Sequence, residues 1–239
     1  MAGSLESGLR PGANSRFVTH LECSKTGERY GKDRLQGLSR AGVPLMVRYD
    51  LKALGAAVTK EALAARPPDL WRYREFLPLG EDHEPVSLGE TATPLVRLPG
   101  LERRLGLAEV LIKDEGRLPT GSFKARGMSV AVSMAKALGV TRIAIPTAGN
   151  AGSGLAAYAA RAGIEAFVFT PSDTPEVTAS EMAYHGAKAW RVKGLVGDCA
   201  KIVAGGKAAM GWYDFTTLKE PYRVEGKKTM GLEDRKSVV

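Results

Sequence analysis

With 239 residues, 44% of them apolar and 25% charged, the chain can bury the core of one large or two small domains. Its net charge of +8 is spread out, without a basic block or interleaved aromatic stripe. Nucleic acid is therefore a poor partner, whereas an anionic small molecule and a plainly basic surface fit equally well. Cys23 and Cys199 supply neither a disulfide framework nor a metal knuckle, and no signal-peptide core or apolar run of spanning length occurs. The expectation is a soluble, cytoplasmic protein with no membrane partner.

In chain order, residues 1–18 are rich in Gly, Ser and Arg and read as disordered, and residues 19–50 read as short strands and turns. Residues 51–66 predict one amphipathic helix, stopped by Pro67-Pro68. Trp71 to Pro78 is an aromatic segment, read as core anchoring ahead of a lid or strap. From residue 108, apolar runs at Val110–Ile112, Ile143–Pro146, Ala166–Thr170, Ala189–Val192 and Tyr213–Phe215 alternate with helical stretches near 122–138, 152–162, 175–185 and 197–210. That alternation predicts an α/β fold with a parallel sheet and right-handed crossovers.

Two motifs carry chemistry. Pro119-Thr-Gly-Ser-Phe-Lys124-Ala-Arg-Gly127 places one lysine of 34 Lys+Arg just inside a helix, behind a turn. A lysine there can form an imine with an aldehyde if burial beside other cations keeps its amine partly neutral. Thr147-Ala-Gly-Asn150-Ala-Gly152-Ser-Gly154 joins a strand to a helix. Its small residues let a ligand approach free N–H groups, and Asn150 offers an amide donor. The spacing G-x-x-G-x-G is the reverse of the dinucleotide fingerprint, and Pro221 stands where a P-loop ending in Gly226-Lys-Lys-Thr229 needs glycine. The scattered His20, His83 and His185 make no metal site or triad.

Together, these motifs within parallel α/β alternation resemble the fold type II pyridoxal-phosphate enzymes, the tryptophan synthase β-like architecture. The resemblance implies that Lys124 holds pyridoxal 5′-phosphate covalently, beside Phe123, and that Asn150 hydrogen-bonds the cofactor's 3′-oxygen. Thr147, Ala148, Gly149 and Ala151 would hold the substrate carboxylate. Leu88 to Leu95, the Trp71–Pro78 segment and Thr217 to Thr229 narrow the resemblance to the threonine synthases, across about residues 19–233. That family implies a carbon–oxygen lyase converting O-phospho-L-homoserine and water to L-threonine and phosphate, with a homodimer as the full-length assembly. Arg126, Lys227 and Lys228 are the further candidates for contact with the substrate's phosphate, and Ser122 is a further candidate for substrate contact. The alternatives are a threonine or serine dehydratase of the same fold, and a non-catalytic relative that binds an anion.

Two departures from the family stand out. Many members carry a zinc-ribbon-like N-terminal region with two cysteine pairs, whereas residues 19–50 retain only Cys23. A structural zinc site needs about four N/S ligands, so this degenerate region is expected to fold without metal. The chain also lacks the family's later Gly-rich phosphate cradle and the group facing the pyridine nitrogen. Residues 234–239 can be spelled by the start of a common sequencing adapter. The expectation is a C-terminally truncated fragment with a non-native tail and little or no activity alone. It would comprise part of a larger cofactor domain (51–127 and 223–233) and a smaller α/β domain (128–222).

Overall fold

The computed structural model describes residues 10–234. Residues 1–9 and 235–239, on which parts of the expected disorder and non-native tail fall, lie outside that range. Within it, residues 10–18 correct the expectation of disorder. Ala13, Ser15, Phe17 and Val18 are buried, Ser15 N donates to Pro78 O at 2.7 Å, and Gly80 N donates to Ala13 O at 2.9 Å. Apolar burial and these backbone bonds outweigh the entropy that the Gly/Ser composition suggested.

Strands β1 (Val18–Cys23), β2 (Arg29–Tyr30) and β3 (Leu45–Tyr49) form an antiparallel sheet in the order β2-β1-β3. Leu21, Cys23, Leu45 and Val47 point inward, so alternation supplies its core. The Cys23 thiol donates to Ser39 Oγ at 3.2 Å and accepts from Thr26 N at 3.4 Å.

The helix expected over 51–66 is two, α1 (Leu51–Ala57) and α2 (Lys60–Ala64). Val58 is extended at φ −127°, and the Thr59 hydroxyl accepts from Ala62 N at 3.2 Å. A threonine whose side chain can cap a new helix favours this break over continuing the old one. Next, Leu70–Phe76 forms a 3-10 helix kinked at Tyr73. Leu70 and Leu77 pack with Val130, so this aromatic segment anchors core.

The run at 110–112 departs from the sequence reading. It falls in β5 (Leu111–Lys113), which pairs antiparallel with β4 (Leu95–Arg97) across α3 (Pro99–Leu105), apart from the parallel sheet. Apolar content marked a strand, but strand direction depends on a partner that composition does not specify.

Helix α4 (Lys124–Ala137) is buried continuously from Ala125 to Ala135. Its Ala, Gly, Ser and Val side chains are small enough for neighbours on every side, so the helical stretch near 122–138 is a central helix. Then follow β6 (Arg142–Pro146), α5 (Asn150–Ala162), β7 (Glu165–Pro171), α6 (Glu176–Tyr184), β8 (Lys188–Val192), α7 (Val196–Met210), β9 (Tyr213–Asp214) and α8 (Tyr222–Asp234). The four strands are parallel in the order β8-β7-β6-β9. Helices α4 and α8 meet through glycines. A Cβ on Gly226 would overlap the Arg126 carbonyl, and one on Gly127 would lie 2.9 Å from the Arg223 carbonyl oxygen.

Candidate active site

The site lies where α4 and α5 begin and the first turns of α8 pass. The turn Pro119–Gly121 and the extended Ser122 bring the chain into α4, so Lys124 is its first residue and is only partly exposed. Its Nζ lies 3.6 Å from the centre of the Phe123 ring, and Lys227 Nζ of α8 lies 5.7 Å from the same ring. The glycine contact between α4 and α8 makes this approach possible. Burial, then the charges of Lys227 and Arg223, lower the Lys124 pKa below the usual lysine value. Lys227 is lowered too, by burial and then by Arg223, against the opposing charge of Glu220.

Arg223, absent from the sequence-derived candidates, is almost wholly buried. Glu220 accepts from its Nε at 2.9 Å and from Tyr222 N at 2.7 Å, which aims the arginine while capping α8. Arg223 Nη2 is buried without a hydrogen-bond partner among the described residues. The signal was present in the sequence, since Arg223 and Lys227 are four residues apart and share a helical face.

At the start of α5, Thr147 Oγ1 accepts from Gly149 N at 3.2 Å, and Gly149 precedes the helix without a side-chain cap. Ala148 and Asn150 are exposed, and Gly149 and Ala151 are half-buried. Uncapped N–H groups and an accessible amide suit an anionic ligand. Gly154 faces Lys124: a Cβ there would lie 3.7 Å from Lys124 Cβ and 3.8 Å from Thr120 Oγ1. The buried hydroxyls of Thr120, Ser122 and Ser153 have no hydrogen-bond partner among the described residues. A depressed lysine, orphaned hydroxyls, an uncapped helix start and a side-chain-free wall fit a cofactor bearing an aldehyde and anionic groups.

Two candidates sit elsewhere. Arg126 was expected near the substrate phosphate, but it is fully buried and saturated by Glu115, Glu233, Thr93 and Thr229 at 2.6–3.2 Å. Two carboxylates neutralise it, so it ties α4 to α8 and the Thr93 segment. Lys228 pairs with Glu225 at 2.5 Å and lies 4.0 Å from the centre of the Tyr49 ring, linking α8 to the N-terminal sheet. Among the described residues no group of three or more His, Cys, Asp or Glu is placed to hold a metal, and no helix is long and apolar enough to cross a membrane.

Residues 86–236 match the profile of the family described as "Pyridoxal-phosphate dependent enzyme". The chain belongs to the pyridoxal-phosphate dependent enzyme family. Within that family it is 37% identical to threonine synthase of Methanocaldococcus jannaschii over 214 residues, 88% of this chain and 52% of the relative. It is 34% identical to threonine synthase of Methanosarcina acetivorans over 216 residues, 90% of this chain and 52% of the relative. The chain thus spans about half the length of these relatives. Among solved structures, Escherichia coli diaminopropionate ammonia lyase in complex with D-serine superposes with a TM-score of 0.58 at 20% identity, covering 64% of this chain and 46% of that one. Threonine deaminase isoform 2 of Solanum lycopersicum covers 82% of this chain and 48% of its own, with a TM-score of 0.56 at 20% identity. These superpositions establish the fold type II architecture.

Proposed function

We propose that this chain carries the lysine and the carboxylate-binding loop of a threonine synthase, which converts O-phospho-L-homoserine and water to L-threonine and phosphate. The convergence of Lys124, Lys227 and Arg223, with Arg223 Nη2 unpaired, carries the reading. The two cations Lys227 and Arg223, set against the single carboxylate of Glu220, suit a doubly charged phosphate better than a neutral hydroxyl. The similarity to threonine synthases supports the same choice.

In this reading Lys124 is the covalent attachment point. Asn150 would donate to the cofactor's 3′-oxygen beside Phe123, and the loop of Thr147, Ala148, Gly149 and Ala151, with Ser122, would hold the substrate carboxylate. When bound, pyridoxal phosphate supplies an electron sink that stabilises negative charge at the substrate carbons. Lys124 Nζ, neutral when free, takes the proton from the α-carbon and then serves the β-carbon. Lys227 and Arg223 hold the phosphate and stabilise it as it leaves.

The test is borohydride reduction of the chain incubated with pyridoxal phosphate, followed by peptide mapping. The expected adduct is on Lys124 and absent from Lys124→Ala; an adduct spread over surface lysines would sink the assignment. In product assays of full-length protein containing this segment, threonine and phosphate from O-phospho-L-homoserine support the proposed reaction. Ammonia release from L-threonine would favour a dehydratase instead. Absence of the Lys124 adduct would favour an anion-binding relative.

A further inference from the structure

Among the described residues, two besides glycine have positive φ: Thr120 at 59° and Leu218 at 65°. A β-branched residue is especially disfavoured there, because its Cβ crowds the backbone. Leu218 is about half exposed, at 49%. Thr120 instead stands in the turn that delivers Lys124, followed by Gly121 at φ 63°, where glycine takes the same conformation freely. Nothing local calls for a threonine, since its hydroxyl makes no hydrogen bond among the described residues. That hydroxyl is buried on the wall shared by the starts of α4 and α5, where Gly154 leaves space beside it and Lys124. Strain and an orphaned donor at one residue, facing one lysine, both ask for a ligand.

Resting on the reading above, we infer that Thr120 is a ligand-contact residue: its left-handed backbone aims Oγ1 to hydrogen-bond the phosphorylated group held at Lys124. That group is either the cofactor or the substrate.

The test titrates the parent chain, Thr120→Ser and Thr120→Gly with pyridoxal phosphate and then with O-phospho-L-homoserine. Absorbance and the borohydride-fixed mass on Lys124 report binding, and urea unfolding of the unloaded chains reports strain. Thr120→Gly is expected to unfold at a midpoint no lower than the parent while binding about three- to tenfold more weakly. Thr120→Ser is expected to bind within about twofold of the parent, since it keeps the donor. Weakening in the first titration assigns the contact to the cofactor, and weakening confined to the second assigns it to the substrate; either sustains the inference. Unchanged binding by Thr120→Gly, equal weakening of both variants, or a fallen midpoint in Thr120→Gly overturns it. Failure of the parent chain to take up cofactor on Lys124 refutes the functional reading, and this inference with it.

Discussion

As the proposed attachment point, the Lys124 amine has to be unprotonated to attack an aldehyde, and its surroundings favour that state. Burial and the positive charges of Lys227 and Arg223 act in the same direction. Removing one of those charges should raise the Lys124 pKa and leave less neutral amine at a given pH. In Lys227→Met, the pH profile for Lys124 adduct formation is therefore expected to move to higher pH; an unmoved profile would remove Lys227 from the site. Glu233 gives the opposite sign. Burial pushes its carboxyl up, but Arg126 and Lys113 outweigh burial and hold its pKa below the usual value. A carboxylate depressed in the folded state adds stability that is present above its unfolded pKa of about 4.3 and lost as pH falls through the folded value. Urea midpoints should fall less steeply between about pH 6 and about pH 3 in Glu233→Gln than in the parent, from a lower starting stability.

At the scale of elements, the junction of α4 and α8 decides whether the two motifs become one site. Their backbones approach through Gly127 and Gly226, which lets Lys227, the next residue on α8, reach the Phe123 ring. Gly226→Ala must push the helices apart, and is expected to cost about 1–3 kcal/mol by overpacking and to slow adduct formation at Lys124. Gly231→Ala, on the same helix but with open space around its Cβ position, should instead stabilise by roughly 0.5–1 kcal/mol. Urea unfolding of the pair checks both signs. The helix expected over 51–66 shows where local signals misled. Its apolar spacing was helical, but Val58 and Thr59 favour an extended residue and a cap, so the chain starts a second helix.

Across the whole molecule, the N-terminal sheet is integrated with the site-bearing helices. Tyr49 donates to Glu225 Oε2 at 2.6 Å, and the Tyr213 hydroxyl donates to Gln36 O. These contacts join β3 to α8 and β9 to the segment before β3, and Leu21, Leu45 and Val47 lie in the main core. Packing and strand pairing are expected to perform here the work that zinc does in a ribbon. Strong chelators are expected to leave the thermal midpoint unchanged; a drop reversed by added zinc would contradict this.

The sequence by itself determined the strand–helix alternation after residue 140, the position of Lys124 at a helix start, and the small-residue loop before α5. These are local properties, set by periodicity, turn chemistry and side-chain size over a few residues. Only the tertiary structure decided which charges serve the site. Arg126, two residues from Lys124, is consumed by two carboxylates, while Arg223 and Lys227, about a hundred residues away, act on the amine together with its burial. A charge in a sequence carries neither its burial nor its partner, and both are fixed only when α8 docks on α4. The strain at Thr120 was hidden for the same reason: a left-handed threonine has no residue-type signature, and its orphaned hydroxyl exists only where two helix starts meet.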